Sequence, residues 1–392
     1  MTPDVIPTKG FMVNSYPDRG LEFVCGEGNY LIDATGARYL DLGGNYGVSL
    51  FGYGYEPIIE ALRAQLTALV SLHGSFGCAI RRQAAQELVE RSGGALRRVF
   101  FSNSGAEAVE AALKFACLAT GKKRFLTMRN GYHGKTLGAL SATSGERYRR
   151  PYLPLLWDFR QVDFGDAEGI QCALDIETAG LILEPVQGEG GVRLAPLDYF
   201  DELQRLCQER GVLLIVDEIQ TGLGRTGTFL AGEQYHLHPD ILCLGKGLAG
   251  GIPIGATLVS EPVSRAIPLH NHTSTFGGNP LAMAGVCATL AELSQPHLLH
   301  QVQERGELFL AGLRSIHHPN VVEARGLGLM LALQLRENVT PTLRALQQRG
   351  IIAIPAGADT LRFLPPLTLR QEEMEIALHA IREIFSFDQA DV

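Results

Sequence analysis

The sequence has no paired cysteines. Its seven (Cys25, Cys78, Cys117, Cys172, Cys207, Cys243, Cys287) are scattered singly, without a C-x-x-C spacing. That pattern suits buried thiols in a reducing compartment and offers neither a disulfide framework nor a cysteine metal site. Long apolar runs are also missing: none approaches the ~18 residues of a membrane span, and Met1 to Gly10 lacks the apolar core of a secretory leader. These absences together predict a cytoplasmic protein. Positive charge is short as well. The 34 basic residues stand against 42 acidic ones, for a formal net charge of -8. Nucleic acid and anionic membranes are therefore not expected as partners. There is no repeat, low-complexity tract or linker. What remains is 392 residues, 46% hydrophobic and 19% charged, enough for two or three domains around a large core.

The ends and the middle of the chain are patterned differently. Leu21 to Asp41 alternates and turns like a short antiparallel meander. Helices are predicted from Pro57 to about Val70, with proline in the first turn, and from Ala79 to Glu90. From Arg97 strands alternate with helices, as in a parallel α/β sheet. Val99 to Phe101, Arg124 to Thr127, Gly180 to Leu183, Val212 to Val216 and Ile241 to Leu244 read as strands, largely apolar because both faces are covered. The tail returns to α+β, with strands near Met330 and Leu361 and a last helix from Gln371 to Phe385. The expected division is an N-terminal segment 1–50 that joins a small domain, a large domain 51–290, and a C-terminal small domain 291–392.

One stretch stands out, from Pro239 to Ala256, where a short apolar strand feeds Lys246 and glycines crowd both sides. A lysine is usually a solvated surface charge. Here the surroundings are apolar, and desolvation would leave a neutral amine able to attack a carbonyl. Ligands of open α/β sheets sit beyond the carboxyl ends of the strands, where Ser104, Glu184, Asp217 and Lys246 all fall. Ser104-Gly105-Ala106 leads into a helix and reads either as a phosphate cradle or as a plain N-cap. Gly134-Lys135-Thr136 is not a P-loop, because Arg129 stands where the first glycine is needed. Asp217, after five apolar residues, needs a cation. That cation is either a protonated pyridine nitrogen or an internal partner; His or Cys ligands spaced for a metal do not accompany it. His270, His272, His317 and His318 read as loop residues. Phosphate cradle, buried aspartate and desolvated lysine suggest pyridoxal phosphate, with Lys246 as the Schiff-base lysine and Asp217 on the ring nitrogen.

These stretches resemble the class III (ω-amino acid) aminotransferases of the fold-type I pyridoxal phosphate enzymes, from about Tyr16 to Ile381. The likeness is carried by Ser102-Asn103-Ser104-Gly105-Ala106-Glu107-Ala108, Tyr132-His133-Gly134-Lys135-Thr136 and Glu184-Pro185-Val186-Gln187-Gly188-Glu189-Gly190-Gly191. It continues through Val216-Asp217-Glu218-Ile219-Gln220-Thr221-Gly222-Leu223-Gly224-Arg225, the Lys246 stretch, Ser274-Thr275-Phe276-Gly277-Gly278-Asn279-Pro280 and Arg362-Phe363-Leu364-Pro365-Pro366-Leu367. The resemblance implies a large domain with a mostly parallel seven-stranded sheet between helices, plus a small α+β domain from both termini. It also implies a homodimer with a shared site. Gly105 and Ala106 would hold the phosphate with Ser104, Tyr132 would stack on the ring, and His133, Glu184 and Gln220 would complete the cofactor site. Thr275 would reach the phosphate of the neighbouring subunit. Arg362 would grip a substrate carboxylate, and Glu189 would cover it when the donor has none. Tyr16, Tyr46 and Lys135 would line the substrate pocket.

The implied reaction moves a terminal amino group from an ornithine-like amino acid or a diamine to 2-oxoglutarate, in a ping-pong cycle giving an aldehyde and glutamate. A racemase, aminomutase, decarboxylase or phospho-lyase of the same fold is the first alternative, and a non-catalytic scaffold the second. Three positions bear on the donor. Lys135 stands where ornithine-type and acetylornithine-type members usually have arginine. Tyr46 is aromatic, as in ornithine aminotransferase. The loop Gly52-Tyr53-Gly54-Tyr55-Glu56-Pro57 is one residue longer than the family's Gly-His-x-His/Asn-Pro. The stretch Tyr132 to Phe159 resembles putrescine aminotransferase, whereas Tyr16 to Asp41 resembles the acetylornithine enzymes.

Overall fold

The computed structural model describes residues 11–13 and 15–386; the Met1 to Gly10 stretch lies outside the described residues. Near the N-terminus, β1 (Phe23–Glu27), β2 (Tyr30–Asp33) and β3 (Arg38–Asp41) form the expected antiparallel meander. The large sheet contains β4 (Leu96–Ser102), β5 (Arg124–Met128), β6 (Phe159–Val162), β7 (Thr178–Leu183), β8 (Leu213–Asp217), β9 (Ile241–Leu244) and β10 (Gly255–Ser260). Their order is β4-β10-β9-β8-β7-β5-β6, and β10 runs antiparallel to both of its neighbours.

Two of these strands have no pattern of their own in the sequence. Strand β10, Gly-Ala-Thr-Leu-Val-Ser, begins on small residues at the end of a glycine-rich run, and strand β6, Phe-Arg-Gln-Val, lies at the sheet edge with Arg160 exposed. Short strands of this kind are selected by their neighbours rather than by propensity. By contrast β7 and β9 are buried throughout, as continuous apolar runs covered on both faces require.

The helix Gly105–Thr120 crosses one face of the sheet. Its Ala108, Val109, Ala112, Leu113 and Phe115 pack against Phe125, Ile182, Ile215 and Cys243. The helices Leu197–Arg210 and Pro280–Leu293 belong to the larger core on the other side. Because β5, β7, β8 and β9 are parallel, their carboxyl ends open on one edge. The C-terminal region adds β11 (Val321–Leu327), β12 (Met330–Leu335), β13 (Ile351–Ile352), β14 (Ile354–Ala356) and β15 (Thr360–Phe363). Strand β13 joins the N-terminal meander alongside β3, while β11-β12-β15-β14 form a third sheet. The two chain ends thus share a sheet, and β15 brings Arg362 toward the open edge.

Candidate active site

Lys246 follows β9 at the start of a 3-10 turn, Lys246–Ala249. Its φ is +48°, a left-handed conformation that costs a non-glycine residue about 1–2 kcal/mol. The backbone there is pressed against the next strand-to-helix turn. A Cβ on Gly245 would lie 3.4 Å from Gly105 Cα, and one on Gly105 would lie 2.8 Å from an Ile219 methyl. The side chain is partly accessible to the cleft and otherwise enclosed. Burial lowers its ammonium to about 8, against the opposing pull of Glu189, with smaller effects from Arg362, Glu184 and Asp217. All four charged groups therefore converge on this amine.

Asp217 ends β8. Its Oδ1 accepts the Ile219 N–H at 3.1 Å, and its Oδ2 lies 2.7 Å from His133 Nδ1. Burial alone would lower the imidazolium, but the hydrogen bond and charge of Asp217 outweigh it and raise the His133 pKa. The aspartate thus has an internal partner, and that pairing fixes which way its carboxylate faces. Glu184, at the end of β7, accepts the Tyr132 N–H at 2.9 Å and the Gly188 N–H at 3.2 Å. Burial pushes it up to about 7, with His133 opposing. The Tyr132 phenol is raised to about 12 by burial and then by Glu189.

At the start of the Gly105–Thr120 helix, Ser104 Oγ accepts the Glu107 N–H at 3.2 Å, so its hydroxyl caps the helix as a plain N-cap does. The N–H groups of Gly105 and Ala106 take no acceptor among the described residues, as expected for the first turn. Two free donors at the positive end of a helix dipole, next to the backbone of Gly245, form an anion cradle.

The other wall is built around Arg362, whose side chain is fully buried. Its Nη1 donates to Gln220 Oε1 at 3.0 Å, and its Nη2 donates to Glu189 Oε1 at 2.6 Å and to the Pro355 carbonyl at 3.3 Å. Its Nε has no hydrogen-bond partner among the described residues. Gly188 makes the first of these bonds possible, since a Cβ there would sit 1.9 Å from Gln220 Oε1. Tyr46 lies with its ring 5.9 Å from the guanidinium carbon. Lys135 is exposed, with its ammonium 5.2 Å from the Tyr148 ring centre and 6.0 Å from that of Tyr132. Tyr16 is 74% exposed and close enough to Tyr132 to affect its ionisation. Thr275 stands apart on an exposed loop, which Ser274 ties to Asn103 through a 3.2 Å hydrogen bond.

Several groups that hold this arrangement stand in the motifs that carry the resemblance, or pair with them, without a role of their own in the sequence reading. Glu218 turns away from the cleft, accepting bonds from Thr221, Ala231 and Gly232, and burial holds it up to about 7. Arg225 is buried, donates to the Leu329 and Pro365 carbonyls, and is lowered by burial to about 9. The His133 contact with Asp217 joins residues 84 apart. A buried carboxylate after an apolar strand announces that a partner exists, but not which residue supplies it.

These groups fit pyridoxal phosphate. Gly105 and Ala106 offer free N–H groups for a phosphate, Asp217 a buried carboxylate for a ring nitrogen, and Lys246 an amine of lowered pKa for an aldehyde. Comparison with known proteins agrees. Residues 15–385 match the family described as aminotransferase class-III. The acetylornithine aminotransferase of Methanopyrus kandleri is 40% identical over 370 residues, covering 94% of this chain and 95% of that one. The [LysW]-aminoadipate semialdehyde/glutamate semialdehyde transaminase of Sulfurisphaera tokodaii is 38% identical over 373 residues, covering 95% and 96%. A solved ornithine aminotransferase from Toxoplasma gondii, described with partial occupancy of pyridoxal phosphate at its active site, superposes with a TM-score of 0.93. It is 32% identical, with 97% of this chain and 92% of that one covered. A lysine of lowered pKa beside an anion cradle is thus found in a chain that matches one family almost end to end, and the protein belongs to the class III aminotransferases, as a pyridoxal phosphate-dependent transaminase.

Proposed function

We infer that the amino donor is an ornithine- or acetylornithine-like amino acid, or a diamine, reacting through its terminal amine, and that 2-oxoglutarate is the acceptor. The products are an aldehyde and glutamate, formed in two half-reactions. The single observation that carries this reading is the buried Arg362 held by Glu189 within the electrostatic reach of Lys246. When bound, pyridoxal phosphate supplies an aldehyde and an electron sink. Asp217, oriented by His133, would pair with the ring nitrogen. Gly105 and Ala106 would hold the phosphate through their N–H groups, with Ser104 ordering the helix start, and Tyr132, its backbone fixed by Glu184, would cover the ring. Lys246 Nζ takes the proton from the amine-bearing carbon of the donor and holds it for return.

Glu189 neutralises Arg362 while a donor without a carboxylate at that end is bound. A keto acid displaces it and pairs with the guanidinium, and Gln220 keeps Arg362 aligned in both cases. The name of the Sulfurisphaera tokodaii relative, which pairs two semialdehydes, fits an enzyme of terminal amines. Lys135, beside Tyr132 and Tyr148, would meet the far end of the donor with Tyr16, while Tyr46 faces Arg362; as a point charge Lys135 grips a carboxylate less specifically than arginine would. Thr275, exposed on its loop, would serve the site of a second subunit in a homodimer, and the chain would act in the cytoplasm with segments 1–50 and 291–392 framing a large domain, 51–290. No described helix is long and apolar enough to cross a membrane.

The test is a panel of putrescine, cadaverine, ornithine, N-acetylornithine, lysine and 4-aminobutyrate with 2-oxoglutarate, each half-reaction followed by cofactor absorbance. Stable conversion to the amine form by one of these donors, reversed by 2-oxoglutarate, is the expected result. Failure of the whole panel, with conversion by an α-amine alone, would sink the reading.

A further inference from the structure

The loop after β3 contains a feature that the reaction chemistry leaves unused. Gly44, Asn45, Tyr46 and Gly47 are four consecutive left-handed residues, with φ of 53°, 49°, 57° and 84°, and Tyr46 carries a bulky side chain that disfavours this conformation. The turn lies against the site. The Cβ position of Gly47 is 4.0 Å from Lys246 Cδ and 3.5 Å from Leu364 Cδ1, while the Tyr46 ring faces Arg362.

Asp41 holds the turn. Its carboxylate is 2% exposed, and the groups acting on it among the described residues are hydrogen-bond donors rather than cations. Oδ1 accepts the Gly43 N–H at 2.9 Å and the Gly44 N–H at 3.0 Å, and Oδ2 accepts the Tyr53 hydroxyl at 2.6 Å. Tyr53 is itself fixed. Its backbone exchanges hydrogen bonds of 3.0 and 2.7 Å with Gly28, and its ring covers Gly26, where a Cβ would lie 2.4 Å from Tyr53 Cγ. A short chain of contacts thus runs from the N-terminal meander through Tyr53 and Asp41 to the strained turn, and from there to Tyr46 and Arg362.

We propose that Tyr53 and Asp41 are positioning residues for the substrate-carboxylate site, the bond between them holding the Gly43 to Gly47 turn left-handed so that Tyr46 stays against Arg362. The proposal rests on the reading of Arg362 as the keto-acid carboxylate site. It also gives the lengthened Tyr53 to Pro57 loop a role in recognition. Without the hydroxyl, Asp41 is buried one donor short and the turn is free to relax. Asp217 at the end of β8, Lys246 just beyond β9, and His133 bonded to Asp217 keep their places.

The experiment compares Tyr53→Phe, Tyr46→Ala and the double variant as holoenzymes. Calorimetry measures binding of glutarate, an unreactive dicarboxylate, and absorbance follows the two half-reactions separately. Tyr53→Phe is expected to weaken glutarate and raise the keto-acid KM about tenfold, the equivalent of one lost buried hydrogen bond. Its kcat should stay within about twofold of the parent, since no transition-state contact is removed. The double variant should be no worse than Tyr46→Ala, because Tyr53 acts through Tyr46.

Multiplicative losses overturn the proposal. So does an equal slowing of both half-reactions with unchanged glutarate affinity, which is what general destabilisation gives. Asp41→Asn retains an oxygen for Gly43 and Gly44 and should bind glutarate more tightly than Asp41→Ala; equal impairment overturns the proposal too. Glutarate binding indifferent to Arg362→Lys defeats the carboxylate-site reading and the proposal with it, whereas a response to Arg362→Lys with none to Tyr53→Phe defeats the proposal alone.

Discussion

The two walls of the cleft are built differently. On the wall proposed for the cofactor, Asp217, Glu184 and Lys246 stand at or just beyond the ends of the buried strands β8, β7 and β9. Asp217 and Glu184 each accept at least two hydrogen bonds there. On the wall proposed for the substrate, Tyr46, Lys135 and Tyr16 are exposed and sit on turns and loops, and Tyr46 lies against one fully buried arginine, Arg362. Strand ends in a packed sheet can move little, because the core resists any change of volume. Loops carry variation at small cost to the core. The first wall therefore suits chemistry common to a whole family, and the second suits a choice among donors.

This contrast makes graded predictions. Lys246→Ala should remove the covalent chromophore and lower kcat by at least ~10³-fold, as loss of a general base and nucleophile does. A retained chromophore would break the assignment. Asp217→Asn, which keeps the shape and removes the charge beside His133, should cost about 10²–10³ in kcat, comparable to losing a preorganised electrostatic contact. Cofactor retention after gel filtration would show whether binding suffers as well.

The pH dependence follows from Lys246. Its amine is neutral above about 8, and only the neutral form attacks an aldehyde. The rate at which the apoenzyme captures pyridoxal phosphate should therefore rise about tenfold per pH unit below 8 and level off above it. A profile that is flat between pH 6 and 8.5 in stopped-flow absorbance would contradict the lowered pKa. The sign for stability is the same. Between about 8 and the ordinary value of 10.5 the unfolded chain holds the extra proton, so apoenzyme stability from this group rises with pH across that window.

Effects on the substrate wall should be smaller and more selective. Glu189→Gln leaves Arg362 buried beside a neutral partner. It should slow the donor half-reaction about tenfold for diamines while sparing the keto-acid half-reaction, since a weakened charge-assisted bond is worth that much. Equal slowing of both would remove the gating role. Lys135→Ala should raise the KM of a carboxylate-bearing donor by only about two- to fivefold, as expected of an exposed charge, and leave that of putrescine unchanged. Donor KM values on the two substrates decide it.

Legibility in the sequence follows the same division. Strands β5, β7, β8 and β9 were readable because burial on both faces makes continuous apolar runs, and Asp217 and Lys246 were readable because a charge directly after such a run is costly. The edge strand β6 and the small-residue strand β10 were not, since neither has a pattern apart from its neighbours. At Ser104, which reads in sequence as either N-cap or phosphate cradle, the hydroxyl caps the helix while the N–H groups of Gly105 and Ala106 take no acceptor among the described residues. The need of Asp217 for a cation was legible; its pairing with His133 was not. The consecutive left-handed residues at Gly44 to Gly47 carry a sequence hint only in their glycines; Asn45 and Tyr46 share that conformation in a turn whose flanking glycines meet Asp41 and Leu364.

The sequence by itself determined the α/β alternation, the charged groups at the strand ends and the family, because periodicity and the cost of burying charge are local properties that a linear chain displays. The tertiary structure alone decided which groups meet: His133 with Asp217, Arg362 with Glu189 and Gln220, Tyr53 with Asp41. These contacts join residues 12, 84, 142 and 173 positions apart. Their geometry depends on how sheets and turns pack in three dimensions, which spacing along the sequence does not encode.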